Sequence, residues 1–265
     1  MSVPSTETSN AQRAARRRGE TPWVTYALLG STVLVYLLQV ASQNIFGLDL
    51  LAALGVKDNL SIVQGQYWRL ITPVFLHASI LHIGFNMYAL FVLGPGLERF
   101  LGHSTYAITY FLSGLAGNVF SFLLSPNPSL GASTAIFGLI GAQTIFIFRN
   151  RVLFGSRARP LLLNSIFIIV INLGFGILPG SNIDNWGHLG GLIFGGLFAW
   201  FGGPAYRVVR QSGVLYPGQV TASNNPTGSD AIYLNRVRSN TAPWVAALAL
   251  CAVLVTLVII KVRLA

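Results

Sequence analysis

An all-α polytopic membrane protein, a six-helix bundle followed by one more transmembrane helix, is the fold class that three observations predict. The 265-residue chain is 53% hydrophobic and only 9% charged, whereas soluble domains carry about a quarter charged residues; its mean hydropathy is +0.62. Seven apolar segments are long enough, or nearly so, to cross the ~30 Å hydrocarbon layer of a bilayer. Most basic residues fall in alternate connections between those segments, the pattern of a chain that crosses repeatedly.

Residues 1–22 are polar and basic and are expected to be a disordered tail. The first apolar segment, Trp23 to Gln43, is too long for a signal-peptide core and lacks an evident cleavage site, so it reads as a retained anchor. A long connection, Asn44 to Leu70, leads to apolar segments at Ile71 to Leu97 and Tyr106 to Leu124. The turn "SPNPS", Ser125 to Ser129, precedes Gly131 to Phe148, and Leu161 to Leu178 follows. After "PGSNID", Pro179 to Asp184, comes the sixth segment, Trp186 to Phe201. Residues 206–242 are rich in Gly, Pro, Ser and Asn and read as a linker. It separates a compact core, 23–205, from a seventh helix in 243–265 with its apolar run at Pro243 to Ile260.

Of the 17 basic residues, 13 are arginines in the tail, at Arg99, at Arg149 to Arg159, and at Arg207 to Arg238. The positive-inside rule then puts the amino terminus and those loops in the cytoplasm and the carboxyl terminus outside. The net charge of +10 is thereby assigned to the cytoplasmic membrane surface and its anionic headgroups, not to nucleic acid. A single cysteine, Cys251, excludes a disulfide framework and a thiolate metal site.

Counting back from the cytoplasmic ends gives one depth for three polar residues. Ser133 is 16 residues before Arg149, His82 is 16 before Glu98 and His188 is 16 before Pro204. At 1.5 Å per residue each lies roughly 24 Å above the inner boundary. Asn86 is one turn deeper than His82 on the same face. A serine among small residues in an apolar run is usually a packing residue, but histidine inside a membrane usually faces a cavity or a functional site. Metal binding is disfavoured, because His77 and His82 lie on different faces of a helix and lack Cys or acidic companions. His103, at the cytoplasmic end, is expected to be solvated.

A serine needs a base to become a nucleophile, and histidine is the usual one. A hydrolase also needs donors for the developing oxyanion, for which His82, Asn86 and the backbone N–H of Ser133 are candidates. Asp184, four residues before His188, reads as a helix cap rather than as the third member of a triad. Ionisable groups at mid-membrane and inverted repeats, the marks of a transporter, are not evident.

The stretches "YWRLITPVFLHASILHIGFNMYAL", "GASTAIFG" and "NIDNWGHLGGLIFGG", in this order and in these segments, resemble the rhomboid family of intramembrane serine proteases over about Trp68 to Gly203. The resemblance implies Ser133 as nucleophile and His188 as general base, with His82 and Asn86 holding the oxyanion. It implies that Phe137 packs against the histidine ring and that Gly131 supports the loop before the serine. It further implies transmembrane protein substrates, the bilayer as surroundings, no cofactor or metal, and residence in the cell (inner) membrane. The usual motif has glycine after the serine, and here Thr134 stands there. The alternative function is a catalytically silent rhomboid-like protein that binds transmembrane helices.

Overall fold

The computed structural model describes residues 21–211, 231–236 and 242–264. Among these residues the fold is carried by seven long helices: α1 (Trp23–Phe46), α2 (Ile80–Leu101), α3 (His103–Leu124), α4 (Ser133–Arg149), α5 (Ala158–Phe175), α6 (Asn185–Phe201) and α7 (Ala242–Leu264). Five helical stretches have the length and hydropathy of membrane spans: α1, α2, α3, α7, and Arg151–Phe175, which contains α5. Helices α4 and α6 have 17 residues each, about 25 Å of helix; α4 is largely buried, and α6 buries one face while Trp186, Ile193, Leu197 and Trp200 stay exposed. The chain is an integral multi-pass membrane protein.

The second segment departs from the expected boundaries. Its helix begins at Ile80, not Ile71, because Tyr67–Leu70 and Thr72–Phe75 form short 3-10 turns around Pro73. The Ser79 side chain then caps α2 by accepting from the His82 N–H at 3.2 Å, satisfying a donor that the first turn leaves free. At its other end α2 runs through Pro95 to Leu101. Glu98, fully buried, accepts from the Val24 and Thr25 N–H groups at 3.0 and 2.8 Å and so caps α1. His103 pairs with this same carboxylate and packs on Trp23; with its side chain 29% exposed it keeps part of the expected solvation while it reaches a buried acceptor.

The centre of the bundle is α3, α4 and α6 in backbone contact. A methyl group added at Gly191 would land on the Thr134 carbonyl, at Gly195 on the Gly138 carbonyl and at Gly141 on the Leu192 carbonyl. On the α3 side, a methyl at Gly117 would lie 2.5 Å from the Gly187 oxygen. Small residues allow this approach, and it replaces the hydrophobic driving force that a bilayer does not supply. Helix α5 keeps most of its large apolar side chains on the outside, and α7 lies against α3 and α6, with Ala246 and Leu254 in the cluster of Phe122, Phe194 and Phe198.

The segment read as a linker contains an antiparallel pair, β1 (Tyr206–Gln211) with β2 (Ala231–Arg236), in the register Tyr206 to Arg236. Residues 212–230 and 237–241, like residues 1–20 of the tail, lie outside the described residues.

Candidate active site

Ser133 is the first residue of α4, and His188 sits one turn into α6. The close packing of these helices brings His188 Nε2 to 2.8 Å from Ser133 Oγ, a good hydrogen-bond length. Phe137, one turn after the serine, stacks on the imidazole with ring centroids 4.2 Å apart and planes 10° from parallel. The ring is held flat against a neighbour, buried, while the serine remains partly open.

The other imidazole nitrogen, Nδ1, is buried and has no hydrogen-bond partner among the described residues. Asp184 does not reach it: its Oδ1 accepts from the Gly187 N–H at 3.0 Å, capping α6. The arrangement is a pair, not a relay of three.

Gly131 lies at φ +132°, a conformation that L side chains rarely adopt. A methyl there would sit 2.7 Å from His82 Nε2 and 3.6 Å from Ser133 Oγ. The missing side chain therefore leaves a space bordered by the serine hydroxyl and by a histidine nitrogen. Asn86 is buried just beneath, its Nδ2 donating to the His82 carbonyl at 2.9 Å; an amide nitrogen has a second hydrogen to offer. His77, which the sequence reading weighed only as a metal ligand, sets its ring edge-on to His82 at 5.0 Å and takes the Ala132 N–H at 3.5 Å.

Thr134 turns away from this space. Its Cβ and Cγ2 occupy the volume left by Gly117 and Gly187, and its buried hydroxyl has no partner among the described residues. The β-branched residue is accommodated because the two facing helices carry glycine.

The connection between α1 and α2 is also built from polar ties. Arg69 donates to the Val56 and Ala53 carbonyls at 2.9 and 2.8 Å, and the Trp68 indole donates to the Leu54 carbonyl at 3.0 Å. Asn118 of α3 donates to the Leu70 carbonyl at 3.0 Å. Sequence reasoning missed Lys57, which is fully buried beside the loop that precedes Ser133. Among the described residues no three His, Cys, Asp or Glu side chains converge as a metal site requires.

A family model described as the Rhomboid domain matches residues 64–205, more than half of the chain. The chain belongs to the rhomboid family. It is 43% identical over 178 residues to "Rhomboid protease GluP" of Bacillus subtilis (strain 168), a match covering 67% of this chain and 34% of that protein. Over 147 residues it is 40% identical to "RHOMBOID-like protein 6, mitochondrial" of Arabidopsis thaliana, covering 55% of this chain and 47% of the other. A third relative, "RHOMBOID-like protein 9, chloroplastic" of Arabidopsis thaliana, is 33% identical over 186 residues, covering 68% and 42%. The matches thus span less than half the length of each of these relatives.

Proposed function

We propose that the chain is an intramembrane serine endopeptidase that cleaves transmembrane proteins with a Ser133 and His188 dyad. The observation that carries this reading is the 2.8 Å contact between His188 Nε2 and Ser133 Oγ beneath the stacked Phe137 ring. As Ser133 Oγ attacks the scissile carbonyl, His188 Nε2 takes its proton and passes it to the departing amine. The resulting acyl-enzyme is hydrolysed when His188 takes a proton from water as the water oxygen attacks the ester, then returns it to Ser133 Oγ as the acyl–oxygen bond breaks and the new carboxyl end leaves. His82 Nε2, the second Asn86 amide hydrogen and the Ser133 N–H serve the oxyanion that forms above Gly131.

Substrates must present extended backbone to this site, since a regular helix keeps its carbonyls engaged. Gly or Pro in the outer part of a substrate span eases that unwinding. The arginine distribution supports a cytoplasmic amino terminus and linker, an outer-facing site and a carboxyl terminus on the far side of the cell membrane. The test is incubation of the purified protein with a single-pass transmembrane substrate, beside Ser133→Ala. Cleavage by the wild-type protein alone supports the reading; a folded wild-type protein that binds the substrate and leaves it intact supports the silent alternative.

A further inference from the structure

Lys57 is 0% exposed, and a lysine is almost never fully buried unless its head is partnered. Its Nζ donates to the Ser125 carbonyl at 3.0 Å and to the Asn127 carbonyl at 2.8 Å. Its own peptide group exchanges two hydrogen bonds with Ser129, 3.0 and 3.1 Å long, as an isolated antiparallel bridge. Asn59, two residues on, adds a bond to the Ser125 carbonyl at 3.0 Å. A short segment of the α1–α2 connection therefore fixes three successive odd-numbered positions of the loop that runs into Ser133. The far end of that loop is held by the Gly131 N–H on the Pro73 carbonyl at 2.9 Å.

The same amino group feels the start of the other helix of the pair. Burial pulls the Lys57 ammonium down to about 8, against the carboxylates of Asp184 and Asp58, which pull it back up. Asp184 is the cap of α6, four residues before His188. Lys57 thus stands where the lead-in to the serine helix and the lead-in to the histidine helix come together, without touching either reacting side chain.

We propose that Lys57 is a positioning residue, whose buried amino group straps the 125–131 loop and so sets Ser133 against His188. The inference rests on the reading of Ser133 as the nucleophile. What the strap supplies is hydrogen-bond donors: without them the Ser125 and Asn127 carbonyls must turn to find others, and the loop moves with them. A residue that only held the loops together would change thermal stability and leave the reactivity of the serine alone.

The experiment compares wild type, Lys57→Met and Lys57→Gln in detergent or bilayer for three quantities: kcat and KM on a transmembrane substrate, the second-order rate of Ser133 labelling by a fluorophosphonate, and Tm. Lys57→Met, nearly isosteric and without donors, lowers both kcat and the labelling rate by about tenfold or more, with KM within about twofold. Lys57→Gln, which keeps N–H donors, falls between; it is the variant read if Lys57→Met does not yield folded protein. A folded variant with wild-type kcat and labelling rate, whatever its Tm, overturns the proposal. An unreactive wild-type protein refutes the nucleophile reading and the strap with it, whereas a reactive wild type with an equally reactive variant refutes the strap alone.

Discussion

Gly191→Ala is a single methyl group placed where the serine and histidine helices meet. Gly191 lies one turn after His188, and its added Cβ would fall on the Thr134 carbonyl oxygen, about 1 Å inside the 3.0 Å limit that real Cβ contacts respect. Both partners are helix backbone, so neither yields as a flexible side chain does. If α4 and α6 part by that amount at this level, the 2.8 Å Ser133 to His188 contact opens to about 3.8 Å, outside hydrogen-bond range. Even half the displacement leaves a weak, misaligned bond. A misplacement of this size costs on the order of 10²-fold in turnover, and overpacking costs a further 1–3 kcal/mol or so of stability. The control is Gly196→Ala on the same helix, where the nearest atom, Ile145 Cγ1, is 3.5 Å from the new methyl; its turnover should stay within about twofold. Both variants are assayed for kcat on a transmembrane substrate after Tm has shown that they are folded. Full activity in Gly191→Ala, or equal losses in both, would refute the claim that backbone contact between α4 and α6 sets the dyad.

The threonine beside Ser133 gives a second prediction: with its side chain turned toward Gly117 and Gly187, Thr134→Ala should keep activity within about threefold, since it removes only a methyl and a buried hydroxyl without a partner among the described residues. Activity as low as that of Ser133→Ala would give the threonine a part in the chemistry. For Asp184, replacement by Asn keeps an acceptor for the Gly187 N–H and should keep most activity, whereas Ala should cost about 1 kcal/mol of stability through the lost cap; a loss of order 10⁴ in Asp184→Asn would make it the missing third member. Lys57 makes stability depend on alkaline pH. Burial disfavours its protonation in the folded protein, where it titrates at about 8 against 10.5 for a solvated lysine, so the folded state binds fewer protons between those values and stability rises with pH. The Tm of wild type relative to Lys57→Met should therefore climb from about pH 8 to 10.5 and stay level below pH 8; a fall over that window contradicts the burial described. The neutral amine retains two N–H groups for the Ser125 and Asn127 carbonyls, so the strap itself survives.

Much of the site was legible because polar residues in an apolar segment stand out, and helical rise converts sequence separation into depth. Spacing alone puts Ser133, His82 and His188 at one level, and in the fold 2.8 Å separates Ser133 Oγ from His188 Nε2. Helical spacing puts Asn86 one turn from His82, but its bond to the His82 carbonyl does not follow from spacing alone. Hydropathy starts α2 too early, because Ile71 to Leu76 is as apolar as the helix it precedes. Hydropathy carries no sign of the 3-10 turns there, although Pro73 was a local signal against a regular helix. Lys57 was invisible for a different reason: it lies in a polar connection without periodicity, and its partners at Ser125, Asn127 and Ser129 are about seventy residues away. Thr134 looked like an obstacle in one dimension, and only the glycines of two other helices show where its methyl goes.

The most direct measurement is the site of covalent labelling. Wild-type protein in a bilayer is treated with a fluorophosphonate and digested, and the modified peptide is located by mass spectrometry, beside Ser133→Ala, His188→Ala and Thr134→Ala. A dyad predicts one adduct, on Ser133, with loss of labelling in Ser133→Ala, strong slowing in His188→Ala and retention in Thr134→Ala. Labelling that persists in Ser133→Ala, or a wild-type rate in folded His188→Ala, would contradict the dyad.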